Sequence, residues 1–452
     1  MSRPHPPLLG HLRRAVSGAT TIHATGSVTR VVGNTIEAAG LTVRLGSICW
    51  VDLEGETPVS AEVVGFRDQR ITLVPFADIA GVRPGSPVRL REQQFRVPVG
   101  KGVLGRVLDG FGRPIDDKGP LHADVRVMSP SIPDPLARAR ITDTMATGVR
   151  AIDGLLTTGT GQRMGIFAGS GVGKSTLLGM IARHSESDAN VIALIGERGR
   201  EVQEFIDEQL GPEGLERSVV VVATSDQPAL LRLKAAEVAM SIAEAFRDDG
   251  DDVVLLMDSV TRLAMAQREI GLSAGEPPAL RGYPPSVFSY LPRLLERAGS
   301  ADSGTITGFF TVLVEGDDFN EPVADTVRSI LDGHIVLTRA LAERNHYPAI
   351  DVLASVSRVM PAITTDHHRR LAGSLRAALA EYEGAKDLIE VGAYAPGSSE
   401  AIDRAIRLKP DIDELLRQDA SESGNVETTV MAMDQLGLAA EAAGAGIGGR
   451  AA

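Results

Sequence analysis

The chain is short of the simple devices that hold a protein together or tie it to a surface. It has one cysteine, Cys49, in 452 residues, so no disulfide framework can form within it and a reducing compartment fits. The lone thiol, beside Trp50, reads as a small buried hydrophobe. Positive charge is also in deficit. The 46 Lys and Arg against 59 Asp and Glu leave a net charge of -13, which argues against a nucleic-acid partner, because neutralising phosphates takes clustered Lys and Arg. No apolar run approaches the roughly 20 residues that span a bilayer, and the first residues lack the apolar core and cleavage site of a signal peptide. A cytoplasmic protein is the expectation. What remains is an ordinary globular composition, 43% hydrophobic and 23% charged, with length enough for two or three domains.

One stretch organises the rest. Residues 163–183 read RMGIFAGSGVGKSTLLGMIAR: an apolar run (Met164, Ile166, Phe167), a glycine-rich turn, then a helical pattern. Strand, turn and helix in that order are the context in which a phosphate-loop pattern becomes a mechanism. Glycines let successive backbone N–H groups point inward around an oxyanion, and the helix aims its positive end at the same point. Gly169, Ser170, Gly171, Val172, Gly173, Lys174, Ser175 and Thr176 form this cradle. Lys174 can reach outer phosphates, and the Ser175 hydroxyl is placed to hold Mg²⁺. Ala168 stands where the strict pattern has its first glycine, which alanine can replace if its φ is negative.

Along the chain, residues 1–22 open with Pro4, Pro6 and Pro7 and then place Leu8, Leu9, Leu12 and Val16 beside Arg13 and Arg14. This is a short amphipathic helical pattern that either folds back on its own barrel or makes a partner or membrane-surface contact. Residues 23–95 break into short β-runs at 27–32, 41–45, 48–53, 61–66, 71–75 and 86–90, the signature of a small barrel. Glycine and proline are dense through Pro135, which reads as a connecting segment packed on the next domain. Beyond the phosphate loop, β-runs at 191–196, 218–224, 253–258, 305–314 and 334–338 alternate with helical patterns. The clearest of these, 228–246, carries Leu231, Ala235, Val238, Ile242 and Phe246 on one face. Such alternation predicts an α/β nucleotide domain with a mostly parallel sheet. From His368 on the pattern is helical, ending in an Ala/Gly tail from 439 that reads as frayed. The expected domains are 1–22, 23–95, 96–375 and 376–452.

Two β-runs end in carboxylates. Asp258 closes VVLLMD and would sit beside the loop to hold Mg²⁺. Glu197 closes IALIGE and could polarise a water for attack on a γ-phosphate. By residue type alone, a surface ion pair is an equal reading of Glu197.

Longer blocks carry a resemblance. GERGREV (196–202), DSVTRLAMAQREIGLSAGEPPALRGYPPSVFSYLPRLLERAG (258–299), EGDD (315–318), YPAID (347–351) and PAIDVLASVSR (348–358) resemble the catalytic α/β ATPase family of rotary ATPases and type III export ATPases, over about residues 29–407. Within that family the flagellar protein-export ATPases are most similar, with injectisome ATPases close behind. The resemblance implies a RecA-like domain flanked by an N-terminal β-barrel and a C-terminal helical domain, assembled as a homo-hexamer that hydrolyses Mg-ATP. It further implies Glu197 as the base for water, Arg198 and Arg262 around the γ-phosphate, Tyr347 stacked on adenine, and Arg358 as an arginine finger in a neighbouring subunit's site. Implied partners are a regulator at the N-terminal segment, a stalk-like protein and chaperone–substrate complexes at the C-terminal domain, and an export gate at the inner membrane. By type alone Tyr347 reads as a core tyrosine and Arg358 as a surface charge. A rotary-ATPase subunit would need a partner chain to supply the opposing arginine. A Rho-like nucleic-acid motor would need a barrel with aromatic and basic interleaving, of which there is little. The sequence leaves flagellar and injectisome systems unseparated.

Overall fold

The computed structural model describes residues 25–445, apart from 56, 131, 135, 137, 315–318 and 320. The amphipathic pattern at 1–22 and the EGDD block therefore lie outside the described residues. Contacts divide the chain into two compact units, one running to Phe95 together with Ser273–Gly275, the other from Arg96 onward.

The first unit is a closed barrel of six strands: β1 (Thr25–Val32), β2 (Thr35–Ala39), β3 (Ile48–Val51), β4 (Val59–Arg67), β5 (Arg70–Pro75) and β6 (Pro87–Glu92), in the order β1-β2-β5-β4-β3-β6. Every pairing is antiparallel, and alternate residues line a core that includes Val28, Ile36, Val51, Val63, Leu73 and Val88. Cys49 lies in that core as a free thiol, its pKa pushed up to about 11 by burial. One of the expected strands is misplaced. Residues 41–45 form no ladder; Leu41 and Val43 instead pack against the barrel core from a connection. The strand comes earlier, as β2, where Glu37 and two alanines hid it from β-propensity. Tertiary pairing with β1 and β5 overrides that weak local preference.

The second unit is built on a large sheet. Its strands are β8 (Arg106–Asp109), β12 (Arg163–Ala168), β13 (Ala189–Ile195), β14 (Ser218–Ala223), β15 (Asp252–Asp258), β17 (Thr305–Leu313), β18 (Gly333–Leu337) and β19 (Ile350–Ser357), ordered β19-β18-β12-β17-β15-β13-β14-β8. The ladder is parallel from β18 to β8, with β19 antiparallel on one edge. Short strands complete the unit: β7 (Arg96–Val99) pairs β9 (Asp124–Val127), β10 (Thr144–Met145) pairs β11 (Thr158–Gly159), and β16 (Gly299–Ser300) caps β17. All residues of β13 and β14 are buried, as expected for strands covered on both faces.

The glycine- and proline-rich segment is thus more than a connection, because β8 supplies the far edge of the sheet. A fork between Arg106 and Asp116, at 2.7 and 2.8 Å, and a bond from the Val107 N–H to Asp116 fasten this edge. That arginine holds the Asp116 carboxyl far below the usual carboxylate range. The helix Ala229–Asp248 departs from the one-faced expectation as well. It is buried nearly all round, including Lys234, Glu244 and Arg247, and the buried Arg297 forks onto Glu244 with both bonds at 2.7 Å. A charged pair can be buried there because each guanidinium donor aimed at Glu244 has an acceptor.

The helices Asp366–Glu390, Glu400–Leu416 and Val426–Ala445 follow. Thr365 and Ser399 cap the first two through their side chains. The third carries helix through Ala445, past the point at which an Ala/Gly tail was expected to fray; alanine is the best helix former, which the compositional reading underweighted. Gln418 fastens this region to the sheet unit. Its Oε1 accepts from the Arg150 N–H at 2.8 Å, its Nε2 donates to the Gly148 carbonyl at 2.7 Å, and its own N–H donates to the Tyr347 carbonyl at 2.9 Å.

A second buried group braces the start of the helix Arg150–Leu155. Asp153 is fully buried and accepts from the Thr147 N–H at 2.8 Å, the Thr147 hydroxyl at 2.7 Å and the Gly148 N–H at 3.1 Å. Burial nonetheless pushes its carboxyl up to about 7. Because the folded pKa lies above the unfolded one, this group's contribution is full below the unfolded value and is lost as pH rises through about 7. Asp153→Ala should lower stability by about 2–3 kcal/mol, since it strands buried donors. In thermal melts across the range from weakly acidic to weakly alkaline, Asp153→Asn should lose part of the wild-type decline; an unchanged decline would assign it to other groups.

Candidate nucleotide site

The site stands at the carboxyl ends of β12, β15 and β13, with β17 running between the first two, where ligands of open α/β sheets bind. β12 lies between β18 and β17, and β15 lies between β17 and β13. At the end of β12, Ala168 is buried and extended and is absent from the positive-φ residues, so the substitution in the loop pattern fits its backbone. Gly171 and Gly173 take positive φ of 77° and 88°, and the helix Lys174–His184 starts directly after. Ser170, Gly171 and Ser175 are exposed and Val172 is buried, so the turn anchors on one apolar residue and leaves its mouth open.

The ends of β13 and β15 supply the carboxylates. Gly196, with φ of 73°, turns the chain out of β13, and a Cβ there would meet the Arg262 Cβ at 2.8 Å, so only glycine lets that arginine pack close. The Lys174 ammonium donates to Glu197 Oε1 at 3.3 Å and also contacts Asp258 Oδ1. All three side chains are largely shielded from solvent, which removes the surface-ion-pair reading of Glu197. Burial lowers the Lys174 pKa, but the charges of Asp258 and Glu197 outweigh it and the net direction is up. Glu197 is raised above its ordinary value, first by burial and then by Asp258 and a bond to Glu201, against the pull of Lys174.

The other expected site residues are distributed around this triad. A Cβ on Gly173 would lie 3.4 Å from the Tyr347 ring, and Tyr347 is 41% exposed, so it is a tyrosine facing the loop and no core residue. Arg262 packs on Gly196, and its Nε is buried without a partner among the described residues. Arg198 is exposed and pairs with Glu201 at 3.3 Å. Arg358 is not brought to this site. It follows β19 at the sheet edge, exposed, with its backbone N–H on the Asp332 carbonyl at 3.0 Å. Two residues escaped sequence reasoning. Thr311 donates to Asp258 Oδ1 at 2.7 Å from β17, and Gln418 holds the Tyr347 backbone. Neither sits in a motif, and only the pairing of β17 with β12 and β15 brings the first of them in.

The residues fit a nucleoside triphosphate. Open N–H groups at a helix start, a lysine ammonium and an arginine donor without a partner suit phosphates. An exposed seryl hydroxyl and a strand-end carboxylate suit a hydrated Mg²⁺. Among the described residues no cluster of three or more His, Cys, Asp and Glu makes a metal site by protein alone. Fold and site together define a phosphate-loop ATPase domain of RecA-like build.

The chain belongs to the ATP synthase alpha/beta family. The model of that family's nucleotide-binding domain matches residues 148–357, that of its beta-barrel domain 28–91, and that of the T3SS EscN ATPase C-terminal domain 364–435. The "Flagellum-specific ATP synthase" of Bacillus subtilis is 54% identical over 91% of this chain and 94% of its own. The "Type 3 secretion system ATPase" of Xanthomonas euvesicatoria is 52% identical over 90% and 92%. The solved structure of the assembled ATPase EscN from the enteropathogenic E. coli type III secretion system superposes with a TM-score of 0.86 at 46% identity, covering 91% of this chain and 99% of that one. EscN has also been solved in complex with its central stalk EscO.

The left-handed conformation of Gly173 yields a prediction. An L-residue there costs roughly 1–2 kcal/mol of backbone strain and sets its Cβ against Tyr347. Gly173→Ala should weaken ATP binding by about tenfold, read by titration calorimetry, with the fold kept by circular dichroism. Unchanged affinity would mean that the loop relaxes without loss of the cradle.

Proposed function

We propose that this chain is the ATP-hydrolysing motor of flagellar protein export, working as a homo-hexameric ring with its active sites between subunits. The observation that carries the ATPase chemistry is the Lys174 ammonium held by both Glu197 and Asp258 at the mouth of a glycine cradle. The flagellar assignment rests on relatives named as flagellum-specific ATP synthases at about half identity over most of their length. The injectisome reading draws on relatives of similar identity. Loss of motility on deleting this chain, with secretion of virulence proteins unaffected, would favour the first.

In this reading the loop from Gly169 to Thr176 takes the phosphates through its N–H groups, and Lys174 neutralises the β and γ groups. Ser175 and Asp258 would hold Mg²⁺, which would supply positive charge to the γ-phosphoryl group being transferred to water and to the departing ADP. Glu197 orients water and accepts its proton. Burial raises its pKa, which makes the carboxylate a better proton acceptor, and because the ionised form is required, activity should rise with pH through that pKa. Arg262 offers its free donor to the γ-phosphate, Arg198 lies on the exposed side of the same turn, and Tyr347 offers its ring to adenine. Arg358, exposed at the sheet edge, serves the neighbouring subunit's site, where a guanidinium stabilises transition-state charge. Residues 1–22 would take a regulator protein. The C-terminal helices would take a stalk-like protein and chaperone–substrate complexes, at an export gate on the inner membrane. No helix among the described residues is long and apolar enough to cross a membrane, so attachment would run through such partners.

Glu197→Gln should cut hydrolysis by a factor of roughly 10² to 10⁴ while Mg-ATP affinity stays within a few-fold, because the base is lost and the cradle is kept. Lys174→Ala should weaken binding itself. A Glu197→Gln enzyme turning over at more than about a tenth of the wild-type rate would remove the base assignment.

The ring has its own test. An Arg358→Ala protomer keeps its Glu197 and can receive the arginine of a Glu197→Gln neighbour. Oligomers co-assembled from the two inactive, differently tagged variants should therefore release phosphate faster than the sum of the separate variants. A verified mixed oligomer with no gain would exclude an arginine acting across the boundary.

A further inference from the structure

We propose that Thr311 is a positioning residue for the metal–nucleotide site, fixing the carboxylate of Asp258 while Lys174 is occupied with phosphate. The inference rests on the ATPase reading above and adds to it a residue on a strand that carries no motif.

β17 runs between the strand that leads into the phosphate loop and the strand that ends in Asp258. Thr311 pairs with Ile166 on one side, and its neighbour Phe310 pairs with Met257 on the other. The Thr311 side chain is fully buried. Its hydroxyl donates to Asp258 Oδ1 at 2.7 Å, while the Met257 carbonyl stands at 3.4 Å. A single O–H donates one bond, and the shorter one, to a carboxylate, is the strong kind. Two residues further on, the Leu313 N–H donates to Thr261 Oγ1 at 2.9 Å, so β17 also ties down the helical turn that follows Asp258.

Packing alone does not call for that hydroxyl. Phe309, Phe310 and Val312 around it on β17 are completely buried, and valine would fill the same space without burying a polar group. The carboxylate of Asp258 does call for a partner. Its terminal torsion is broad and two-fold, so a fixed donor is needed to select one orientation. Lys174 cannot be that donor throughout, because its ammonium sits on a flexible stem, is shared with Glu197, and has three N–H groups for which a phosphate competes. Thr311 is β-branched, stiff at χ1 and held within a parallel ladder, so its bond does not depend on what Lys174 contacts. With Oδ1 held in this way, Oδ2, which takes neither bond, is left to the metal shell.

The test compares the full-length chain with Thr311→Val and Thr311→Ser. ATP and ADP affinity are measured by titration calorimetry with Mg²⁺ and again with EDTA. Turnover is followed as Mg²⁺ is titrated, and thermal midpoints are recorded alongside. Thr311→Val should lose about tenfold in affinity with Mg²⁺, keep its affinity in EDTA, and need correspondingly more Mg²⁺ for half-maximal turnover. Thr311→Ser, which keeps the hydroxyl, should restore the Mg²⁺-dependent part even where its melting point drops. Equal affinity of Thr311→Val and wild type with Mg²⁺ would overturn the proposal. So would equal losses with Mg²⁺ and EDTA in both variants, which would mark the hydroxyl as a packing element. A wild-type chain that binds no nucleotide under either condition would overturn the ATPase reading instead, so the two failures are told apart.

Discussion

The second unit depends on where three parallel strands stop. β12, β13 and β15 end on the same edge of the sheet, and three side chains from there meet: Lys174 at the start of the helix that follows the loop after β12, Glu197 after β13, Asp258 at the end of β15. An ammonium and two carboxylates withdrawn from water would each be costly alone. Brought together they satisfy one another, and they leave the ammonium able to exchange carboxylate for phosphate. The same burial that makes the cluster costly raises the pKa of Glu197, so one constraint serves stability and chemistry.

Around that point, the structure braces each participant from a different direction. Gly196 turns the chain so that Glu197 leaves β13 with Arg262 packed behind it. Thr311 holds Asp258 from the intervening strand. Gln418, from the connection between two C-terminal helices, takes the Tyr347 carbonyl and the Gly148–Arg150 backbone at once. A change in the helical region is thereby coupled physically to the residue that faces the phosphate loop. The edge of the sheet is different in kind. Arg358 emerges from β19 exposed, on the strand that closes the sheet at that edge.

Much of this was legible beforehand, for reasons that differ by region. The phosphate loop was readable because its chemistry constrains residue type locally: glycines for left-handed backbone, a lysine at the helix start, a hydroxyl after it. The buried parallel strands were readable because both faces are covered, which makes them continuous apolar runs with sharp ends, and those ends named Glu197 and Asp258. Ala168 was readable too, since a strand-end residue with negative φ tolerates a Cβ.

Other features were decided only by tertiary structure. Nothing local distinguishes Glu37-Ala38-Ala39 as a strand; β1 and β5 on either side make it one. The alternation at 41–45 mimics a strand because this connection lays Leu41 and Val43, two residues apart, against the barrel core. β8 joined the large sheet from a segment that glycine and proline mark as a loop, because β14 had an edge to fill and Asp116 could lock Arg106 in place. Thr311 and Gln418 are polar residues whose roles depend wholly on which strand or turn lies beside them. The sequence by itself determined the class of chemistry and the residues at the strand ends, because those are set by neighbours along the chain. The order of strands decided which groups hold them in place, because hydrogen bonds across a sheet depend on spatial adjacency that no local pattern encodes.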